Sequence, residues 1–324
     1  MKIAVLGAGM VGRAIARDLS VSHEVTSFDI STANLAELKK HAPGVTCIET
    51  DLAAGGHINH LTDFKFVISA VPGFMGFAVL KTLIELGKDI VDISFFPEDA
   101  MQMDELAKEK GVTVITDCGV APGMSNLILG HLDTQMKINT FECMVGGLPK
   151  KRTKPFEYKA PFSPVDVIEE YTRPARYVEN GNIITKPALS DAEYITFENI
   201  GTLEAFNTDG LRSILSTMSH IPNMKEKTLR YPGHIDLIRS MQLAGFFSEE
   251  NITINGCTVK PLDFTSKLLF NQWKLNAGEA EFTVMTIKCM GLMKGKRATI
   301  SYSLYDEYDS NTGLSSMSRT TGFT

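Results

Sequence analysis

Cysteine is scarce in this chain of 324 residues. The five present (Cys47, Cys118, Cys143, Cys257 and Cys289) are odd in number, scattered and never in a C-x-x-C pair. That argues against a disulfide framework or a cysteine-ligated zinc site and predicts a reducing, cytoplasmic setting. Long apolar runs are missing too: nothing approaches the ~18 uninterrupted apolar residues of a membrane span. No leader is expected, because Lys2-Ile3-Ala4-Val5-Leu6 reads directly as a strand, whereas a signal peptide needs a longer apolar region and a cleavage site. Basic runs are absent and the net charge is −6. Nucleic acid is therefore not an expected partner, since phosphate neutralisation needs clustered Lys and Arg. There is no internal repeat and no low-complexity segment.

What is present is an ordinary globular composition, 44% hydrophobic and 22% charged, with chain enough for about two domains. In the first third, apolar runs alternate with amphipathic stretches. Strands are predicted at Ile3–Leu6, Glu24–Phe28, Val45–Glu49, Lys65–Ala70, Asp89–Ile93 and Val112–Ile115. Helices are predicted at Met10–Leu19, Ala33–Lys40, Phe74–Leu86 (with Gly87 as its C-cap) and Asp99–Lys110. This alternation predicts βαβ crossovers in a parallel sheet, and six strands in that rhythm make a full doubly wound Rossmann domain.

Near Gly123 the rhythm changes. A helix at Ser125–Leu132 precedes β-rich segments: Thr140–Val145, ending in a Gly146-Gly147-Leu148-Pro149 turn, then Tyr194–Glu198 and Leu203–Asn207. Phe282–Met290 and Ala298–Tyr305 read as an antiparallel pair joined around Gly291–Lys296, and Val165–Tyr171, Leu211–Met218 and Ile235–Ala244 read as helical. The expected class is α/β. A Rossmann domain covers residues 1–124, with 311–324 returning to it, and an α+β domain with a largely antiparallel mixed sheet covers 125–310.

The strongest motif is Gly7-Ala8-Gly9-Met10-Val11-Gly12, a G-x-G-x-x-G placed after a strand and at the start of a helix. Gly7 permits the tight turn, Gly9 lets a pyrophosphate approach the backbone, and Gly12 lets helix and strand pack closely. The helix N-terminus offers N–H groups to the phosphates. Asp29, followed by Ile30, ends the second strand. An acid there accepts from the adenosine ribose hydroxyls and repels a 2′-phosphate, and no Arg follows it, so NAD is expected over NADP. Ala70, Val71 and Pro72 end the fourth strand, on the side where this fold binds its ligand. Asp51 follows the third strand, either near the adenine or as a turn acid.

Other segments carry a resemblance. Asp92-Ile93-Ser94-Phe95-Phe96, Asp117-Cys118-Gly119-Val120-Ala121-Pro122-Gly123-Met124 and Gly146-Gly147-Leu148-Pro149 are similar to the saccharopine dehydrogenase (reductase) superfamily. Ser163–Tyr171, Leu203–Leu211 and Lys227–His234 resemble its lysine 6-dehydrogenase branch. The resemblance covers nearly the whole chain. It implies a Rossmann domain, a second substrate and dimerisation domain, a homodimer, and NAD-dependent oxidative deamination of a terminal amine, L-lysine to the 6-semialdehyde. Two departures argue against a glutamate-conjugated substrate: Ala121 stands where the saccharopine branch has an acid, and Thr208 where it has an Arg. A third is the end of the chain. Relatives continue past the region of Gly322-Phe323 with a helix returning to the Rossmann domain, so a truncated or atypical end is expected.

Amine oxidation needs a proton acceptor and a carboxylate anchor beside the cofactor. Asp117 is a base, a water-orienting group or a turn cap. Cys118 is a polar wall or a buried small residue, and Lys159 is a base or a solvated cation. Ser94 is assigned to the cofactor. Phe95 and Tyr158 are assigned to the substrate, with Arg173 and Arg230 as its α-carboxylate forks or as structural ion-pair partners. Asn207, Thr208 and Asp209 precede a helix as caps, with Asp209 also open to the α-ammonium. His57 and His60 lack a third ligand for a metal, so a solvated turn is expected there. The alternatives are an oxidoreductase of the saccharopine or carboxy-polyamine type and, outside enzymes, an NAD-binding sensor or scaffold.

Overall fold

The computed structural model describes residues 1–276 and 278–324, and the chain divides into two compact units. The first comprises Met1–Asn126 with Met317–Thr324, the second Leu127–Ser316.

In the first unit the elements are β1 (Lys2–Leu6), α1 (Met10–Leu19), β2 (Glu24–Asp29), α2 (Thr32–His41), β3 (Thr46–Glu49), β4 (Phe66–Ser69), α3 (Gly73–Glu85), β5 (Asp89–Asp92), α4 (Asp104–Lys110) and β6 (Val114–Ile115). The strands form one parallel sheet in the order β3-β2-β1-β4-β5-β6. This is the doubly wound arrangement that the alternating pattern predicted, with its switch point between β1 and β4. Apolar side chains lie on both faces of the sheet. One core gathers Ala4, Leu6, Phe28 and Leu80, and the other Ile3, Val5, Ile15 and Val25. Burial on both faces is why these strands read as continuous apolar runs. The helix expected over Asp99–Lys110 begins as a 3-10 turn, Ala100–Met103, capped by Asp99, whose side chain accepts from the Met101 amide at 3.0 Å.

In the second unit follow α5 (Met124–Asp133, which straddles the boundary), β7 (Lys137–Pro149), α6 (Pro164–Thr172), β8 (Ala175–Glu179), β9 (Asn182–Lys186), β10 (Glu193–Phe197), β11 (Gly201–Asn207), α7 (Ile214–Thr217), β12 (Asn223–Arg230), α8 (His234–Leu243), β13 (Ile252–Ile254), β14 (Cys257–Val259), α9 (Pro261–Trp273), β15 (Glu281–Met293) and β16 (Lys296–Glu307). The main sheet runs β10-β11-β12-β7-β15-β16, with β8 and β9 attached at β12. Among the described residues, β12 and β7 form the one parallel pair of this sheet, over Asn223–Thr228 and Thr140–Val145, and its other pairings are antiparallel. Helices α6, α8 and α9 cover one face, over a core containing Tyr171, Phe206, Leu229, Ile238 and Trp273.

Two expectations need correction. Gly146-Gly147-Leu148-Pro149 is not a turn: β7 runs through it, paired to Val284, Thr283, Phe282 and Glu281 of β15. Gly146 serves close packing instead, since a Cβ there would lie 2.7 Å from the Leu229 carbonyl oxygen. His57 is not in a solvated turn. It is 1% exposed with both ring nitrogens unpartnered, and burial holds it below its ordinary pKa. The polar end of the chain forms a helix, α10 (Ser316–Gly322), against α1, where a Cβ on Gly322 would meet Ile15 Cγ1 at 3.0 Å. No helix among the described residues is long and apolar enough to cross a membrane.

Candidate functional site

The glycine loop between β1 and α1 is built as its spacing requires. Gly7 has φ +96°, and a Cβ there would sit 2.4 Å from the Ala70 carbonyl oxygen. A Cβ on Gly12 would lie 2.0 Å from the Gly7 carbonyl oxygen, so only glycine lets this first helical turn approach the loop. Gly9 differs: nothing lies within 4 Å of its absent Cβ. It is the N-cap of α1 and gives the helix no side-chain cap. Met10 and Val11 are half-buried beside it and Ala8 is buried. Open space in front of an uncapped helix N-terminus fits a pyrophosphate.

Asp29 closes the other side of the loop. Its Oδ2 accepts from the Ala8 amide at 2.6 Å and its Oδ1 from the Ser31 amide at 2.7 Å. Both bonds leave lone pairs for ribose hydroxyls, since an ionised carboxylate has about four acceptor positions. Ile30 beside it is 64% exposed. Asp51 caps its own turn, accepting from Ala53 and Ala54 at 2.9 and 3.1 Å, which is the turn-acid role.

At the carboxyl ends of β4, β5 and β6 a polar strip forms. The buried Asp92 accepts from the Ser94 amide at 3.0 Å and from its hydroxyl at 2.8 Å, and Ser94 Oγ lies 3.5 Å from Ser69 Oγ. Val71 is buried, with Ala70, Pro72 and Phe95 half-buried. Asp117 is buried with φ +57°, a left-handed conformation that Asp tolerates better than most residues. Burial, with the nearby Asp92 and Asp117 charges, pushes the Cys118 thiol up to about 11, which favours the protonated thiol at neutral pH. Asp92 went unassigned in the sequence reading; its strand-end position was the available signal.

In the second unit the expected substrate forks already have protein partners. Arg230, 2% exposed, donates to Glu170 at 2.7 Å, to the Tyr171 hydroxyl at 3.0 Å and to its own Leu229 carbonyl at 3.0 Å. Its guanidinium lies over the Tyr158 ring at 4.4 Å. Burial opposes the Arg230 charge, but Tyr158, Tyr171 and Glu170 outweigh it and raise its pKa. Burial and the Arg230 charge push His234 down to about 3, so it stays neutral between Tyr171 and the Phe156 carbonyl, each at 2.9 Å. Asp209 takes Arg176 bidentately, at 2.9 and 2.7 Å, and Arg173 pairs with Glu169 at 3.0 Å. Asn207 donates to Asp191 at 2.9 Å, and Lys159 to the Gln272 carbonyl at 3.1 Å.

Glu226, too, carries no assignment from the sequence. It sits on β12, 5% exposed, accepting from Thr208 Oγ1 at 2.6 Å, with Thr228 Oγ1 2.8 Å behind that hydroxyl. A Cβ on Gly210 would come within 2.4 Å of its Oε2. Burial pushes this carboxyl up to about 8, against the Thr208 hydrogen bond. No group of three or more His, Cys, Asp and Glu among the described residues is placed to hold a metal.

Two family models match the chain: the saccharopine dehydrogenase NADP binding domain over residues 3–115 and the saccharopine dehydrogenase C-terminal domain over 119–324. The chain belongs to the saccharopine dehydrogenase family. Among curated members of that family, it is 27% identical over 250 residues to an alpha-aminoadipic semialdehyde synthase of Arabidopsis thaliana, covering 71% of this chain and 24% of that one. It is 24% identical over 331 residues to a saccharopine dehydrogenase [NADP(+), L-glutamate-forming] of Pyricularia oryzae, covering 92% and 72%. The chain therefore spans about a quarter of the Arabidopsis relative. In fold, it superposes on the apo saccharopine dehydrogenase (L-Glu forming) of Saccharomyces cerevisiae with TM-score 0.77, 20% identity and coverage of 99% and 88%. With a homospermidine synthase from Legionella pneumophila in complex with NAD the TM-score is 0.59, at 13% identity and coverage of 93% and 77%. The family match makes the first unit a nicotinamide-dinucleotide domain, which the open Gly9 cradle fits.

Proposed function

We propose that this chain is an NAD-dependent oxidoreductase acting on the carbon that bears a terminal amine of an amino acid, with L-lysine as the first substrate. The observation that carries the cofactor half is Asp29, an acid hydrogen-bonded to the dinucleotide loop at the ribose end. A 2′-phosphate would meet that carboxylate. Gly7, Gly9, Gly12 and the first turn of α1 would hold the pyrophosphate, and Ala70–Pro72 and Ser94 would flank the nicotinamide. When bound, the nicotinamide supplies a hydride acceptor. Asp117 takes the amine proton, so that the carbon can lose hydride and leave an imine. Water then adds to the imine, ammonia departs and the 6-semialdehyde remains. Cys118, protonated, lines the site.

On the substrate side the reading turns on Thr208. A hydroxyl backed by the Glu226 carboxyl suits an ammonium or hydroxyl group and disfavours a carboxylate. The names of the relatives favour a second reading, saccharopine with NADP. Hydride transfer assayed with each substrate and cofactor separates the two: turnover of saccharopine without turnover of lysine would reject the first. We also assign the chain to a homodimer through β16, the outer strand of the main sheet, where Tyr302 and Tyr305 are exposed. A monomer in light scattering at micromolar concentration would reject that assignment.

A further inference from the structure

The backbone of Ala8 is held from two sides. Asp29 accepts from its N–H at 2.6 Å, and Arg13 donates from Nη1 to its carbonyl at 2.9 Å. The same Nη1 reaches Asn34 Oδ1, at 3.1 Å, in the first turn of α2. Carboxylate and guanidinium thus meet through one loop residue, at the end of β2 where this fold receives the adenosine ribose. No Arg follows Asp29 along the chain; this one arrives from α1, four residues beyond Gly9. Burial works against its charge, and Glu37 and Asp29 sustain it. Ser31 caps α2, its hydroxyl accepting from the Asn34 amide at 3.2 Å.

We propose that Arg13 is a latent anchor for a 2′-phosphate, silenced by Asp29. This deepens the NAD assignment above and rests on it. With Asp29 ionised, a phosphate at the ribose 2′ position meets a carboxylate. With that charge removed, it meets a guanidinium fixed between the glycine loop and α2, beside the α2 N-terminus. That pairing of a fork with a helix start suits a phosphate monoester. Glu37, which also pairs with His41 at 3.0 Å, moderates the gain without occupying the strand end.

The test is calorimetric titration of the full chain with 5′-AMP and adenosine 2′,5′-bisphosphate, neither of which requires turnover. The wild type should prefer 5′-AMP. Asp29→Asn keeps an acceptor oxygen and removes the charge, and should shift the preference toward the bisphosphate at least about tenfold, the scale of one charged hydrogen bond. Adding Arg13→Met should abolish that shift, Arg13→Lys should retain part of it, and Glu37→Gln should enlarge it. A shift that survives Arg13→Met overturns the proposal, as does no shift in an Asp29→Asn protein with unchanged melting temperature. If Asp29→Asn does not fold, Arg13→Met alone decides. It should weaken the residual bisphosphate affinity several-fold more than that for 5′-AMP, and equal losses refute the anchor. A wild type that already prefers the bisphosphate overturns the NAD assignment itself and the silencing role of Asp29 with it.

Discussion

Replacing Glu226 with Gln should change how the stability of the second unit depends on pH. The carboxyl is buried on β12 with Thr208 as donor, and burial moves its pKa from 4.5 to about 8. At about 1.4 kcal/mol per pH unit, that displacement corresponds to about 5 kcal/mol between its two protonation states. The sign follows from proton counting. Between those values the folded chain holds a proton that the unfolded chain has released. The contribution is therefore full below about pH 4.5 and is lost as pH rises through about 8. Gln keeps an oxygen for Thr208 and cannot ionise, so the variant lacks this loss. Trp273, the one tryptophan, is fully buried in the second unit, so its fluorescence during urea unfolding reports that unit. Relative to wild type, Glu226→Gln should gain several kcal/mol between about pH 5 and pH 9. Other carboxyls, including Glu170 and Glu204, titrate in both proteins and cancel. A difference that stays flat across that range would refute the reasoning, because it would mean that the Thr208–Glu226 cluster is wet.

Further outcomes follow from the same geometry. Gly9→Val should leave the melting temperature unchanged, because its Cβ has open space, while weakening dinucleotide binding at least about tenfold in a fluorescence titration. Gly12→Ala should instead lower the melting temperature, since its Cβ meets a carbonyl oxygen at 2.0 Å. Asp117→Asn should reduce turnover by about 10²–10⁴, the range for a general base, with dinucleotide affinity unchanged; unaltered turnover removes Asp117 from the mechanism. Arg230→Met strands the half-buried Glu170 and should cost about 3 kcal/mol in the Trp273-monitored transition, most of it recovered when Glu170→Gln is added. A small loss would mean that the ion pair is dispensable.

The two halves were not equally legible. The first unit announced itself because parallel strands buried on both faces leave apolar runs at βαβ spacing, and because three glycines with separate steric duties stand in a fixed pattern. The Asp29 role could be read from its position at the strand end. In the second unit, the end of β12 was quoted within the Lys227–His234 motif and not recognised as a strand, because Lys225-Glu226-Lys227-Thr228 looks like a solvated stretch. Its neighbours β7 and β11 bury it, and Glu226, Lys227 and Thr228 are all inside. The hairpins β8–β9 and β13–β14 and helix α9 also went unread. Residue type left Arg230 open between a substrate fork and an ion-pair partner, and Asp209 between an α-ammonium ligand and a helix cap. Their partners Glu170 and Arg176 lie 60 and 33 positions away along the chain, and no local pattern encodes such a pairing. Arg13 was hidden for the opposite reason: it stands directly after the best-read motif, where only the glycines draw notice.

The most direct test of the central claim is NADH formation by the purified full chain at alkaline pH, with L-lysine and with saccharopine, each with NAD and with NADP. The account predicts reduction of NAD with L-lysine, little with saccharopine, and a clear preference for NAD over NADP. Tight NAD binding without reduction by any amine would contradict the assignment of an enzyme, and turnover of saccharopine with NADP alone would contradict both the substrate and the role of Asp29.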